Sequence, residues 1–182
     1  MTDITIVPAA VIGPWGASAM SLLKKLLAFC VIATFAAATA LAQSLEVKRY
    51  NPSEWTKGRF SEVVTVNGPG KTIYLAGVGA EDEKAPAGAS APILHLGNPY
   101  EQCRYAYDKI KRALEKNGAT LADTVKIVTY VTDIRFQMDA GKCRGEAFAG
   151  LPLPVHTFLN INQLAWPGML VEVDVIAVAA NK

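Results

Sequence analysis

The residues with the clearest chemical potential lie on two β-rich segments near the end of the chain. Glu172 and Asp174 alternate with valines in the segment 170–179. A carboxylate among valines loses hydration, which raises its pKa and suits Glu172 to exchange protons with a water molecule near neutral pH. His156 lies in the segment 155–161, and an imidazole binds an anion when protonated or acts as an acid or base when neutral.

A simpler interpretation stays open for each of these residues. Glu172 and Asp174 also fit solvated or interface-paired carboxylates, and His156 fits a hydrogen-bonded, partly buried histidine. The sequence has no metal motif, phosphate-binding loop, dinucleotide fingerprint or nucleophile elbow. With only two histidines in the chain, the residues for a zinc site or a catalytic triad are lacking.

Hydrophobic periodicity predicts the elements that must position these residues. A first helix begins at Asn98-Pro99, and a weaker second helix holds Gly141 and Gly145. The segment Gly68-Pro69-Gly70 joins two β-rich runs and predicts a hairpin. The order β-β-β-α-β-α-β-β predicts an α+β fold, with a mixed six-stranded sheet and both helices on one face. The expected strands are 46–50, 62–67, 72–76, 125–132, 155–161 and 170–179, and the helices 98–117 and 136–148.

Alternation along the last strand predicts what each sheet face contacts. Val171, Val173 and Val175 point toward the helices, so Glu172 and Asp174 point to the open face. His156, Phe158 and Asn160 alternate in the preceding strand and are expected to share a cleft with the carboxylates on that face. Because the open face is half apolar, we expect a second subunit to cover it.

Residues 20–42 have the three parts of a secretory signal peptide. Lys24 and Lys25 precede the apolar run 26–41, and Ala40-Leu41-Ala42 is a small-x-small cleavage site. A retained membrane anchor is the alternative, which the short, Ala-rich run disfavours. We expect residues 43–182 to form one domain that is periplasmic or secreted. Residues 1–19 are interpreted as a non-coding or disordered extension before the true start at Met20.

Charge and cysteine content limit the partners of this domain. The chain has 18 Lys and Arg and 16 Asp and Glu, of which only Lys24, Lys25 and Asp3 precede residue 43, so the domain is nearly neutral. Such a balance disfavours nucleic acid and anionic membrane as partners. Cys103 and Cys143 permit a disulfide in an oxidising compartment, and two buried thiols are the alternative.

Six short motifs occur in a fixed order between residues 61 and 179, and each alone is unspecific. Together they resemble the Rid proteins, also named YjgF/YER057c/UK114. The motifs are Tyr74-Leu75-Ala76-Gly77, Glu101-Gln102, Asn117-Gly118-Ala119-Thr120-Leu121, Asp123 with Val125-Lys126, Tyr130-Val131-Thr132-Asp133, and the segment 171–178.

The resemblance implies a chorismate-mutase-like fold and a homotrimer with ligand clefts between subunits. It implies hydrolysis of 2-imino acids and enamines to 2-keto acids and ammonia, without a metal or cofactor. Glu172 corresponds to the glutamate that positions the attacking water, and Gly77 to the glycine that lines the cleft.

One departure from the family pattern affects the substrate site. Pro154-Val155-His156-Thr157 corresponds to a Pro-x-Arg-Ser/Thr segment whose arginine pairs with the substrate carboxylate, so His156 replaces that arginine. An imidazole cannot reproduce a two-pronged guanidinium contact. Ala76 replaces a serine, Phe158 replaces a small residue or cysteine, and the asparagine expected near Gly141 is absent.

Two functions follow from these residues. One is a hydrolase in which Glu172 handles the water and His156 orients the substrate. The other is a non-catalytic trimer that binds a small carboxylate or aromatic compound. In both, we expect ligand contacts from Gly77, Thr157, Phe158 and Asp174. A ribonuclease activity, which an older family name suggests, lacks a basic patch to support it.

Overall fold

The first helix is strongly specified by its sequence. The computed structural model describes residues 44–86 and 91–181, and in it α1 spans Pro99–Lys116. The helix begins where predicted, since the Asn98 side chain accepts the N–H of Glu101 at 3.1 Å and Pro99 needs no hydrogen-bond acceptor. The predicted apolar stripe is buried against the sheet, and its buried members include Cys103, Tyr107, Ile110 and Leu114.

The second helix, α2, spans Gln137–Ala147 and depends more on its surroundings. Gly141 and Gly145 lower its helix propensity, and only Ala140 and Cys143 are buried. A disulfide between Cys103 and Cys143, with a Cα–Cα distance of 6.3 Å, joins α2 to α1. The cysteine pairing that the sequence left open is therefore formed.

The strands form two sheets, so the prediction of one six-stranded sheet is wrong. Four strands pair in the order β3-β6-β4-β5, in which β4 and β5 are parallel and the other pairs antiparallel. The first two strands form a separate antiparallel pair. The bounds are β1 Glu46–Tyr50, β2 Val63–Asn67, β3 Lys71–Val78, β4 Thr124–Val131, β5 Val155–Asn160 and β6 Val171–Ala179.

The predicted hairpin between β2 and β3 is also wrong. All five residues of β2 pair with β1, whereas β3 pairs with β6. Gly68 has a φ of 86°, which favours glycine, and a Cβ at this position would clash with the carbonyl oxygen of Ser44. Segment 68–70 therefore redirects the chain from one sheet to the other.

The helices cover one face of the four-stranded sheet, as predicted. The core between them is formed by α1 and α2 on one side and by β3, β4 and β6 on the other. Its fully buried sheet residues are Ile127, Val131, Val171, Val173, Val175 and Ala177. The other face has an exposed Tyr74 and Leu159.

A segment before β2 lies along the free edge of β5. Ser61 donates through its backbone N–H to the carbonyl of Pro154 at 2.9 Å and through its hydroxyl to the carbonyl of Leu153 at 2.6 Å. These bonds place Trp55, Arg59 and Phe60 beside β5 and α2.

Neither helix in the described residues is long and apolar enough to cross a membrane. The predicted signal peptide at 20–42 and the extension at 1–19 lie outside the described residues.

Candidate functional site

His156 and Glu172 lie on opposite faces of the sheet, so the expected cleft that joins them within one chain is wrong. Parallel pairing places His156 beside Ile127 and Phe158 beside Thr129, and both partners are buried toward the helices. Glu172 points to the open face. Strand β4 also lies between β5 and β6, so the two strands are not neighbours.

The carboxylate of Glu172 occupies the place that a side chain at residue 77 would fill. A Cβ at Gly77 would overlap with Oε1 of Glu172. Partial burial raises the pKa of Glu172, and the nearby Glu81 and Asp174 raise it further. Among the described residues no hydrogen-bond donor contacts the Glu172 carboxylate. Gly77 and Glu172, which were predicted to belong to one ligand site, are therefore adjacent. We call these two residues, together with Glu81 and Asp174, the carboxylate site.

The two carboxylates beside Glu172, those of Asp174 and Glu81, each accept hydrogen bonds. Asp174 accepts a hydrogen bond from the Tyr130 hydroxyl at 3.1 Å, and this bond raises the pKa of Tyr130. Glu81 accepts from Lys109 Nζ at 3.0 Å and from the backbone N–H of Gly79 at 3.1 Å. Within residues 44–86 and 91–181, Glu172 is therefore the carboxylate of the site that accepts no hydrogen bond. Thr157 points to the same sheet face from β5 and is exposed.

His156 contacts an arginine that sequence analysis missed. Its Nδ1 lies against Nη1 of Arg144 from α2, and its Nε2 lies 3.0 Å from Oγ1 of Thr129. Because a guanidinium only donates, Nδ1 accepts and the ring proton lies on Nε2, which donates to Thr129. Arg144 also donates through Nη2 to the carbonyl of Arg59 at 3.1 Å.

The surroundings of His156 keep it neutral. Burial, and then the positive charge of Arg144, lower the pKa of His156 to about 3. A neutral histidine cannot bind an anion by its own charge. The cation at this position is therefore Arg144, and His156 fixes its orientation.

An open cleft of about 980 Å³ surrounds this pair between α2, β5 and the segment 55–60. Phe158, a predicted ligand residue, lines this cleft, whereas Gly77, Thr157, Glu172 and Asp174 do not. We call it the arginine cleft. No signal in the sequence pointed to Arg144. Helix α2 has almost no amphipathic pattern, and the contact between Arg144 and His156 depends on which sheet face the side chains of β5 point to.

Residues 44–86 and 91–181 contain no group of three or more His, Cys, Asp or Glu side chains that could hold a metal ion.

The chain is α+β, with two helices on one face of a mixed sheet. This architecture matches the Rid, chorismate-mutase-like class of fold. Solved structures share it. YyfB of Yersinia pestis, described as a Rid protein of unknown function, is 22% identical with a TM-score of 0.63 over 72% of this chain and 97% of its own. A putative endoribonuclease from Thermotoga maritima is 22% identical, with a TM-score of 0.52 over 74% and 99%. Yeast Mmf1 is 17% identical, with a TM-score of 0.52 over 75% and 98%.

The family described as Endoribonuclease L-PSP matches residues 53–179, so the chain belongs to this family, the Rid or YjgF/YER057c/UK114 proteins. No curated protein matches the chain.

Proposed function

We propose that the protein is a hydrolase that acts on an imine, an enamine or a related small metabolite in a cleft between subunits. The observation that carries the proposal is Glu172, a carboxylate with a raised pKa that lies directly against Gly77. A carboxyl group whose pKa lies closer to neutrality exchanges protons with water more effectively than an ordinary glutamate.

The reaction adds one water molecule across a C=N bond. Glu172 accepts a proton from the water as its oxygen bonds to the imine carbon. It then returns that proton to the nitrogen, which gives a carbinolamine. Glu172 next moves the hydroxyl proton to the nitrogen as the C–N bond breaks, and a ketone and ammonia leave. Atoms balance without an oxidant or a cofactor.

Assembly into a homotrimer accounts for the separation of the two sites. Within one chain the carboxylate site and the arginine cleft are on opposite sheet faces, so one ligand cannot contact both. Packing of the β5 edge of one copy against the open face of another would bring the arginine cleft of one subunit to Glu172 of the other. The exposed Tyr74 and Leu159 on the open face favour coverage by a further copy.

We also propose an oxidising location, periplasmic or secreted. The Cys103–Cys143 disulfide supports this location, because such bonds persist outside the reducing cytosol.

A coupled assay tests the hydrolase. An amino-acid oxidase generates 2-imino acids from phenylalanine or alanine, and semicarbazide traps those that remain. We expect the protein to lower semicarbazone formation, and Glu172→Gln to reduce that rate about 100-fold or more. Glu115→Gln, which changes an exposed carboxylate on α1, is the matched control. Unchanged semicarbazone formation with the natural protein would contradict the proposal.

A non-catalytic binding protein is the second candidate, and the His156–Arg144 contact favours it. His156 replaces the family arginine, and the cation now comes from a helix, so the geometry around a bound carboxylate differs. In that case the assay gives no turnover while the protein still retains a ligand. The nearly neutral charge does not favour RNA as that ligand, despite the family description.

A further inference from the structure

We infer that the arginine cleft binds a planar aromatic anion, with Arg144 as the anchor of its carboxylate. The cleft binds this ligand whether or not Glu172 turns the ligand over. This assignment rests on the contacts of Arg144, on the charges around the cleft and on its aromatic wall.

Arg144 is a half-buried cation whose charge is not balanced. In residues 44–86 and 91–181 it forms no salt bridge, and its partners are the neutral His156 and the carbonyl of Arg59. A guanidinium has five N–H donors, so these contacts leave donors free. An uncompensated, partly desolvated cation gains strongly from an anion that enters its site.

All charged side chains that line the cleft are basic. They are Arg59, Lys142 and Arg144, and no carboxylate is among the lining residues in the described part of the chain. Lys142 is paired with Glu146 at 4.0 Å, so Arg59 and Arg144 are the cations of the cleft that form no salt bridge within residues 44–86 and 91–181. The cleft therefore attracts anions by electrostatics before any contact is made.

A row of rings forms the wall of the cleft. The ring centroids of Trp55 and Phe60 are 5.7 Å apart, those of Phe60 and His156 6.4 Å, and those of His156 and Phe158 6.3 Å. Trp55 is 65% exposed and extends this row of rings to the surface. Such rings favour a flat apolar group beside the carboxylate.

Calorimetry with phenylacetate as the probe tests this inference on the full, oxidised chain. Phenylacetamide keeps the ring without the charge, and propionate keeps the charge without the ring. We expect phenylacetate to bind about tenfold or more tightly than either, because a charge-assisted bond and a ring contact each contribute about that factor.

Variants then test whether Arg144 is the residue that binds the carboxylate of phenylacetate. Arg144→Gln should weaken phenylacetate binding about tenfold and leave phenylacetamide unchanged, whereas Arg104→Gln, on the exposed face of α1, should change neither. Circular dichroism checks that each variant is folded. Equal affinity of the natural protein for phenylacetate and phenylacetamide would overturn the inference without any variant. Loss of imine hydrolysis with retained phenylacetate binding would reject the hydrolase alone.

Discussion

At the scale of single residues, Arg144 supplies the positive charge beside His156, the position at which the family resemblance leads us to expect an arginine. His156 accepts from Arg144 and donates to Thr129, so both ring nitrogens are used inside the protein. The guanidinium that a ligand meets therefore comes from α2. This arrangement makes His156 a positioning residue for Arg144.

The lowered pKa of His156 predicts a specific loss of stability in acid. The unfolded chain binds a proton on this residue below about pH 6.5, whereas the folded chain does not until about pH 3. Stability is therefore fully present above pH 6.5 and falls as the pH decreases. Between pH 7 and pH 5 the loss is about 2 kcal/mol. Urea unfolding of the natural protein and of His156→Gln at the two pH values measures it.

His95→Gln is the matched control, since His95 is exposed and should leave the acid-dependent loss in place. An equal loss in His156→Gln and the natural protein would mean that His156 is protonated in the folded state.

Glu172 predicts the opposite pH dependence. Its folded pKa is raised, so the folded state favours the protonated form, and stability falls as the pH increases through that raised pKa. Glu172→Gln should remove this loss, so the variant should gain stability relative to the natural protein at pH 7 but not at pH 4. Urea unfolding at both pH values is the measurement. A gain of equal size at pH 4 and pH 7 would contradict the raised pKa.

At the scale of elements, local signals predicted α1 and the number of strands correctly, but not which strands pair or which way β5 faces. The Asn98-Pro99 cap and a four-residue stripe act within one helix and are visible in the sequence. The direction of His156 depends on parallel pairing with β4 and on a partner from α2, both distant in sequence. The pairing of β2 with β1 is likewise not local, since Glu46 pairs with Asn67.

The disulfide should contribute much of the stability of α2. Closing a loop of 40 residues restricts the unfolded chain and contributes about 3 to 4 kcal/mol. The double variant Cys103→Ala, Cys143→Ala should lose about that much in urea unfolding. It should also weaken phenylacetate binding, because Arg144 follows Cys143 directly. A loss in stability below about 1 kcal/mol would show that α2 is held by its packing alone.

A substitution at Gly141 should change the stability in the opposite direction. A Cβ at this position meets no atom within 4 Å, so alanine fits without a clash. Gly141→Ala should stabilise the protein by about 0.5 to 1 kcal/mol, since alanine has the higher helix propensity. Thermal unfolding measures the change, and a lower melting temperature would contradict the open space beside α2.

At the scale of the whole molecule, each chain presents two half-sites on opposite sheet faces. In our proposal the carboxylate site handles the water and the arginine cleft holds an anion. Neither half is sufficient for the proposed reaction. The proposed function therefore depends on how copies meet, which no local sequence pattern encodes.

The open sheet face predicts the assembly. Light scattering after size-exclusion chromatography should give a mass of about three chains. Tyr74→Asp should shift the protein toward a single chain, because it buries a charge in the covered face. Leu96→Asp, at a similarly exposed apolar residue outside both sites, should not. A single-chain mass for the natural protein would contradict the trimer.

Mixed assembly of two inactive variants tests most directly whether one site is built from two subunits. Glu172→Gln lacks the water-handling group, and Arg144→Glu repels the anion, so each alone should be inactive in the imine assay. Random co-assembly in equal amounts should restore about a quarter of the natural activity, since that fraction of clefts pairs an intact Arg144 with an intact Glu172 of another subunit. A mixture no more active than the separate variants would contradict the shared cleft.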